Sequence, residues 1–115
     1  MKLPALKNDR FIPQEGLRIT VQTPEKNAQQ ITNAILDCDA LKYGDYDRVS
    51  FHSSIGTQQF RSLGSGRNAE TETAVEVPCV ELSFFFSVTE DQAVQVLKAI
   101  YASHPYEEPV VFVQP

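Results

Sequence analysis

The sequence is poor in cationic residues, with 10 lysines and arginines against 15 aspartates and glutamates and a formal net charge of −5 at pH 7. Because nucleic-acid binding is driven by clustered lysine and arginine, this balance argues against a nucleic-acid partner. Cysteine is also scarce: Cys38 and Cys79 are the only two, and neither belongs to a CxxC pair. A cysteine-based zinc site therefore has little support.

Long apolar runs are missing as well. The first 16 residues contain no apolar core of signal-peptide length, and no run approaches the length that crosses a bilayer. We therefore expect a cytoplasmic protein with reduced thiols and no membrane partner. At 115 residues, 42% of them hydrophobic, the chain suits one domain with a single core. We interpret residues 1–16 as an N-terminal arm and residues 17–115 as that domain.

Regular spacing of apolar residues predicts the first strand and helix. LRITVQ at 17–22 alternates as a half-buried strand does. Thr23 and Pro24 then resemble a helix cap followed by proline in the first turn. Helical spacing from Ala28 onward carries the predicted helix to about Cys38.

A second strand is predicted in YDRVSFHSS, which starts at Tyr46. Its alternation directs Val49 and Phe51 to one face. The residues directed to the other face are polar: Arg48, Ser50 and His52. We expect this polar set to lie on the solvent side of a sheet.

The middle of the chain predicts an extra β-ribbon. TQQFRSL follows Gly56, GSGRN at 64–68 has turn composition, and ETETAVEV at 70–77 alternates with one acidic face. Charges of this kind occur on edge strands. Pro78 is expected to end the last of these segments.

The strongest strand pattern is CVELSFFFSV at 79–88, in which every second residue from Val80 onward is apolar. Thr89 with Gln92 forms a capping box, so a helix is predicted to follow. Pro105 is expected to stop that helix. PVVFV at 109–113 is then the last strand.

The resulting order, β-α-β-β-α-β, predicts an α+β, ferredoxin-like fold: an antiparallel sheet with two helices on one face. The other face is predicted to be mostly polar and to carry Arg18, Thr20, Arg48, Ser50, His52, Glu81, Ser83 and Phe85. An aromatic residue at the centre of such a face favours its use in assembly.

HPYEEP at 104–109 admits two interpretations. In the first, His104, Glu107 and Glu108 bind a divalent metal ion, with His52 or a neighbouring subunit completing the ligand set. In the second, which we favour, the motif is a helix stop and a strand entry. A charged imidazole at His104 then suits the helix C-terminus, and Pro105 prevents a further turn.

Nucleophilic catalysis, nucleotide binding and reactive cysteines have weaker support. No serine, histidine and carboxylate stand in a motif for nucleophilic catalysis. GSGRN lacks the strand-to-helix context and the lysine of a nucleotide-binding loop, so we expect a flexible turn whose Arg67 could contact an anion. Cys38 and Cys79 are expected to be small core residues.

Three stretches together resemble one family: GDYDRVSF at 44–51, GTQQFRSLGSG at 56–66, and HPYEEP. They are similar to the inserted domain of YqfO-type proteins, also called NGG-interacting-factor-three-like proteins, over roughly residues 17–115. The resemblance implies a fold like that of PII signalling proteins and CutA cation-tolerance proteins, which form trimers. It would give the polar sheet face and the ribbon a role at subunit contacts.

Full-length members of that family carry a dinuclear metal site, built of histidines and acidic residues, in a separate α/β domain. This sequence, with two histidines, shows no counterpart of that domain. The hydrolase activity sometimes assigned to the family is therefore not supported by any residues of this sequence.

We accordingly expect a PII/CutA-like binding or regulatory module that is not an enzyme. It would form a trimer through strand edges and the loops near Tyr46 and Tyr106. Its ligand, a divalent cation or a small anion at a subunit boundary, is expected to contact Tyr46, Arg48, Tyr106 and Arg67.

Two alternatives stay open at this point. One is an enzyme whose composite site lies between subunits and uses His104 and Glu107 as acid and base. The other is a structural domain that docks on a protein partner.

Overall fold

The computed structural model describes residues 13–86 and 90–115. Within them the chain order is β1 (Leu17–Thr23), α1 (Ala28–Leu36), β2 (Phe51–His52), β3 (Gly56–Phe60), β4 (Val75–Phe86), α2 (Glu90–Ser103) and β5 (Val111–Gln114). Most of the predicted 1–16 arm, and Thr89 of the predicted capping box, lie outside the described residues. Of the helices in the described ranges, neither has the length and apolarity to cross a membrane.

The sheet order is β2-β4-β1-β5, and every neighbouring pair is antiparallel. β3 pairs with the first part of β4 as an added ribbon. Since the two helices pack on one face of this sheet, the ferredoxin-like fold with an extra ribbon is confirmed.

The core lies between the helices and the alternating apolar face of β1 and β4. Ile19, Val21 and Leu82 are at most 1% exposed. The helices add their predicted apolar stripes, which are also buried: Ala28, Ile31, Ile35, Ala93, Val96 and Ile100. Each larger apolar side chain buried in this way contributes about 1.5–3 kcal/mol, so the alternating and helical patterns together hold the two layers.

The start of α1 differs from the prediction. Thr23 is the last residue of β1 and is completely buried, and its hydroxyl donates to the Pro24 carbonyl at 3.2 Å. Pro24 itself caps a short 3-10 turn at Glu25–Asn27, closed by a 3.0 Å bond from the Asn27 N–H to the Pro24 carbonyl. Strand pairing and burial thus hold Thr23 in the sheet and take it away from the cap.

β2 is shorter than predicted. The N–H groups of Arg48 and Val49 donate to the carbonyls of Ala40 and Leu41, at 2.8 and 3.0 Å, and not to a strand. Arg48 has a left-handed backbone with φ of 56°, which interrupts an extended run. Pairing with β4 therefore begins only at Phe51.

The register of β2 also reverses its predicted faces. Phe51 lies opposite Ser83 and His52 lies opposite Leu82. Because directly opposed residues share a face and Leu82 belongs to the core, His52 is on the helix side of the sheet. Phe51, which is 66% exposed, is on the open face, the side of the sheet without helices. The prediction that His52 lies on the open face was wrong, although its side chain is exposed because β2 is an edge strand of the sheet.

β4 runs through Pro78, which pairs with Thr57 and does not end the strand. This part of β4 has a partner strand, β3, on one side among the described residues, and proline is tolerated where one edge needs no donor. The strand begins at Val75, later than predicted. Thr71 belongs to the preceding loop, where its N–H donates to the Ser62 carbonyl at 3.1 Å.

We predict that Gly16→Ala destabilises the fold. A Cβ at Gly16 would meet the Phe86 carbonyl oxygen and stand 2.6 Å from the Phe85 ring. Overpacking of this kind costs about 1–3 kcal/mol in the free energy of unfolding, which urea denaturation measures. Gly56→Ala is the control, since its nearest neighbour would be 3.8 Å away. Equal stabilities of the two variants would contradict the close packing at Gly16.

Candidate ligand-binding site

Gln22, near the end of β1, joins three parts of the chain. Its N–H donates to the Val110 carbonyl at 3.1 Å, and its carbonyl accepts from His104 Nε2 at 2.8 Å. Its side-chain oxygen accepts from Gln58 of the ribbon at 2.9 Å, and its amide nitrogen donates to Glu81 at 3.0 Å. Gln22 thus brings the ribbon and the HPYEEP segment to the same end of the sheet.

His104 is a buried structural residue, 8% exposed, directly after α2. Its Nδ1 accepts the Tyr106 N–H at 3.0 Å, so the proton that its Nε2 donates to Gln22 is the only one on the ring. Burial lowers the pKa of His104 below its usual value, and the bond to Gln22 opposes this only in part. The imidazole is therefore neutral, in contrast to the charged group expected at a helix end.

A cleft of about 750 Å³ lies between the loop after β3 and the HPYEEP segment. Its volume falls within the range of small-molecule sites. The apolar part of its lining includes Phe60, Leu63, Tyr106 and Phe112. The polar part includes Gln22, Gln58, Arg61, Arg67, Asn68, Glu107 and Glu108. A few polar and charged groups among rings are typical of sites that orient a small ligand.

The cleft is bridged by Arg67 and Glu107. The Arg67 N–H donates to Glu107 Oε2 at 2.9 Å, and the Nε atom of Arg67 lies 3.8 Å from the same oxygen. An acid–base role for His104 and Glu107 would require both to give up the bonds that now engage them.

The predicted ligand contacts fall into two groups. Arg67 and Tyr106 both line the cleft. Tyr46 closes a tight turn with Tyr43 and is 74% exposed. Tyr46 and Arg48 do not line the cleft, and their predicted ligand contact remains a prediction.

The predicted metal ligands do not form a site within one chain. In residues 13–86 and 90–115, no three His, Cys, Asp or Glu side chains are placed to hold a metal ion. His52 is exposed, with its Nε2 3.3 Å from the Ser50 hydroxyl. Glu107 and Glu108 do approach each other beside Gly66. Metal binding by His104, Glu107, Glu108 and His52 remains a prediction that needs a second subunit.

Both cysteines are free. Cys79 is buried, and burial raises the pKa of its thiol, with a further contribution from the Glu81 carboxylate. A protonated, enclosed thiol is a poor nucleophile, which agrees with the predicted core role of Cys79.

Several cleft residues have no signal in the sequence. Gln22 and Gln58 belong to alternating strands, and Phe60 and Phe112 could equally be core residues. The one local signal is the pair of glycines in GSGRN ahead of Arg67. They indicate a turn, but they do not indicate that Arg67 pairs with Glu107.

The state of His104 predicts a pH dependence of stability. Because its pKa is lower in the folded chain than the usual 6.5, the unfolded chain binds the proton more readily. The stabilisation is complete above pH 6.5 and is lost as pH falls through that value toward the folded pKa. Urea unfolding between pH 5 and 8 measures it.

The matched variants are His104→Gln and His52→Gln. The first should be less stable at pH 8, by about 1–3 kcal/mol for the polar groups left unpaired, and should lose this pH dependence. The second should keep it, because His52 is exposed. A pH dependence unchanged in His104→Gln would show that another group is responsible.

Comparison with protein-family models and with curated proteins gives no match. Among solved structures, a Bacillus cereus protein related to NIF3 is similar, with TM-score 0.72 and 25% identity over 92% of this chain and 27% of that one. CutA1 of Thermus thermophilus, a divalent cation tolerance protein, matches with TM-score 0.63 and 19% identity over 88% of this chain and 84% of its own. The Ehrlichia chaffeensis divalent ion tolerance protein CutA1 matches with TM-score 0.63 and 17% identity over 88% and 80% of the two chains. The chain therefore has a CutA-like fold and spans about a quarter of the Bacillus cereus chain.

Proposed function

We propose that this chain is an oligomeric module that binds a small ligand in the cleft between the β3 loop and HPYEEP. The observation that carries the proposal is the convergence of Arg67, Tyr106 and the Gln22–Gln58 pair on one cleft of about 750 Å³. The match to 27% of the Bacillus cereus chain is what an inserted domain predicts, and it supports the resemblance to YqfO-type proteins.

The open face supports assembly. Phe51, Ser83, Thr20 and Phe112 are directly opposed in turn across four strands. The two phenylalanines, 66% and 50% exposed, are therefore about 14 Å apart on one face of the sheet. We propose that a second copy of the chain covers these two rings and the small Ser83 and Thr20 side chains between them.

The strand edges favour a ring. In the described residues, Val75–Cys79 of β4 pairs only with β3, and β5 pairs only with β1. A two-stranded ribbon is marginally stable by itself, so an added strand would stabilise it. A contact between the ribbon edge of one copy and the β5 edge of the next is heterologous, and repeating such a contact gives a ring when its rotation closes. We propose that it closes after three copies, as a trimer.

We predict that Phe112→Glu disrupts this assembly. Static light scattering should give three times the 12.9 kDa of one chain for the parent protein and a lower mass for the variant. Tyr101→Glu is the control, because Tyr101 is aromatic and 55% exposed but belongs to α2. A parent protein that stays at 12.9 kDa at high micromolar concentration would refute the trimer.

For the ligand, divalent cations and small anions are the two classes to compare. The names of the similar CutA1 proteins favour Zn²⁺, Cu²⁺ and Mg²⁺ as the first probes, and Arg67 favours inorganic phosphate. A ligand at a hundred times its dissociation constant should add about 2.7 kcal/mol to the free energy of unfolding.

Two variants separate the classes. Glu108→Gln should reduce stabilisation by a cation, and Arg67→Gln should reduce stabilisation by an anion. Lys98→Gln removes an exposed charge on α2, outside the cleft, and should change neither. A ligand-induced stabilisation that survives in both cleft variants would place the ligand elsewhere.

A further inference from the structure

We infer that the loop Gly64–Arg67 is a receptor for a small oxyanion, and that the carboxylate of Glu107 occupies this receptor when no ligand is bound. The inference rests on the proposed function, because the receptor forms one wall of the same cleft. It goes further by naming the ligand class and the group that competes with it.

A hydrogen bond and an ion pair from Arg67 reach the same oxygen. Its backbone N–H donates to Glu107 Oε2 at 2.9 Å, and its Nε atom lies 3.8 Å from that oxygen. A backbone amide combined with a guanidinium group is an arrangement that proteins use for carboxylate and phosphate oxygens. The receptor is thus seen with an anion in place, supplied by the chain itself.

The loop is shaped for close approach of an anion. A Cβ at Gly66 would stand 3.2 Å from Glu107 Oε2, so the absence of a side chain there makes room for the oxygen. Gly64 turns the loop with φ of 86°. Ser62 braces it, because its hydroxyl accepts the Gly64 N–H at 3.2 Å and donates to the Asn68 carbonyl at 3.1 Å. These contacts form the loop without any ligand.

The resident carboxylate is weakly held. The side chains of Arg67 and Glu107 are 60% and 52% exposed, and an exposed ion pair changes an equilibrium constant by less than about tenfold. A like charge also lies close, since Glu108 Oε1 is 4.0 Å from the point that a Gly66 Cβ would occupy. An oxyanion that brings more charge can therefore displace Glu107 and release HPYEEP from the loop.

The charge of the receptor selects against cations. A metal ion bound at Glu107 Oε2 would stand beside the guanidinium group of Arg67, and the two positive charges would repel each other. Inorganic phosphate is consequently a better ligand than a metal ion for testing this loop.

The test is a phosphate titration of the full-length ¹⁵N-labelled protein at constant ionic strength, balanced with chloride, read from the backbone amide resonances of Gly66 and Arg67. Both resonances should shift. Glu107→Gln should bind phosphate about fivefold more tightly, because the competing carboxylate is gone. Glu108→Gln removes the same charge without freeing the Arg67 N–H, and its gain should be smaller. Gly66→Ala in the Glu107→Gln background should weaken binding.

Equal phosphate affinity in the parent and Glu107→Gln would overturn the inference, as would shifts elsewhere with Gly66 and Arg67 unmoved. A parallel titration with Zn²⁺, Cu²⁺ and Mg²⁺ separates this failure from failure of the proposed function. If a metal ion shifts cleft resonances and phosphate does not behave as described, the proposed ligand-binding cleft is supported and the oxyanion site at Gly64–Arg67 is refuted. If no probe shifts any cleft resonance, both the proposed ligand-binding function and the oxyanion site are refuted.

Discussion

The hydrogen bond from His104 to the Gln22 carbonyl is the constraint on which the site depends. It joins the residue after α2 to the end of β1, next to the point where the Gln22 N–H holds Val110. The same imidazole accepts the Tyr106 N–H, so one neutral ring satisfies a strand carbonyl and fixes the turn that follows. A charged ring could not do both, because its second nitrogen would no longer accept a hydrogen bond.

This junction divides HPYEEP into a structural half and an exposed half. His104 is 8% exposed and belongs to the framework, whereas the Glu107 side chain is 52% exposed and faces the loop after β3. The framework half orients the acidic half toward Arg67. The two interpretations of HPYEEP, as a ligand-binding motif and as a helix stop, are therefore not mutually exclusive. The helix stop is also what positions the glutamates in the cleft.

The spacing of apolar residues correctly predicted the strands and helices that bury one face of their own sequence. β1, the later part of β4 and α2 each bury one face, and alternation or helical spacing reports this directly. β2 is different: its register depends on Ser83 and Leu82, some thirty residues further along the chain. Its two residues therefore carry no local signal for which face is buried. The Arg67–Glu107 bridge joins positions 40 residues apart, so turn composition predicted the loop but not its partner.

Phe112 connects the two halves of the proposal. It belongs to the open face, opposite Thr20, and it also lines the cleft. A subunit that covers the open face would fix one wall of the cleft, and the neighbouring ribbon edge would border it. A ligand that contacts Phe112 and changes the affinity between subunits would then have its own affinity changed by the same factor on assembly, by reciprocity.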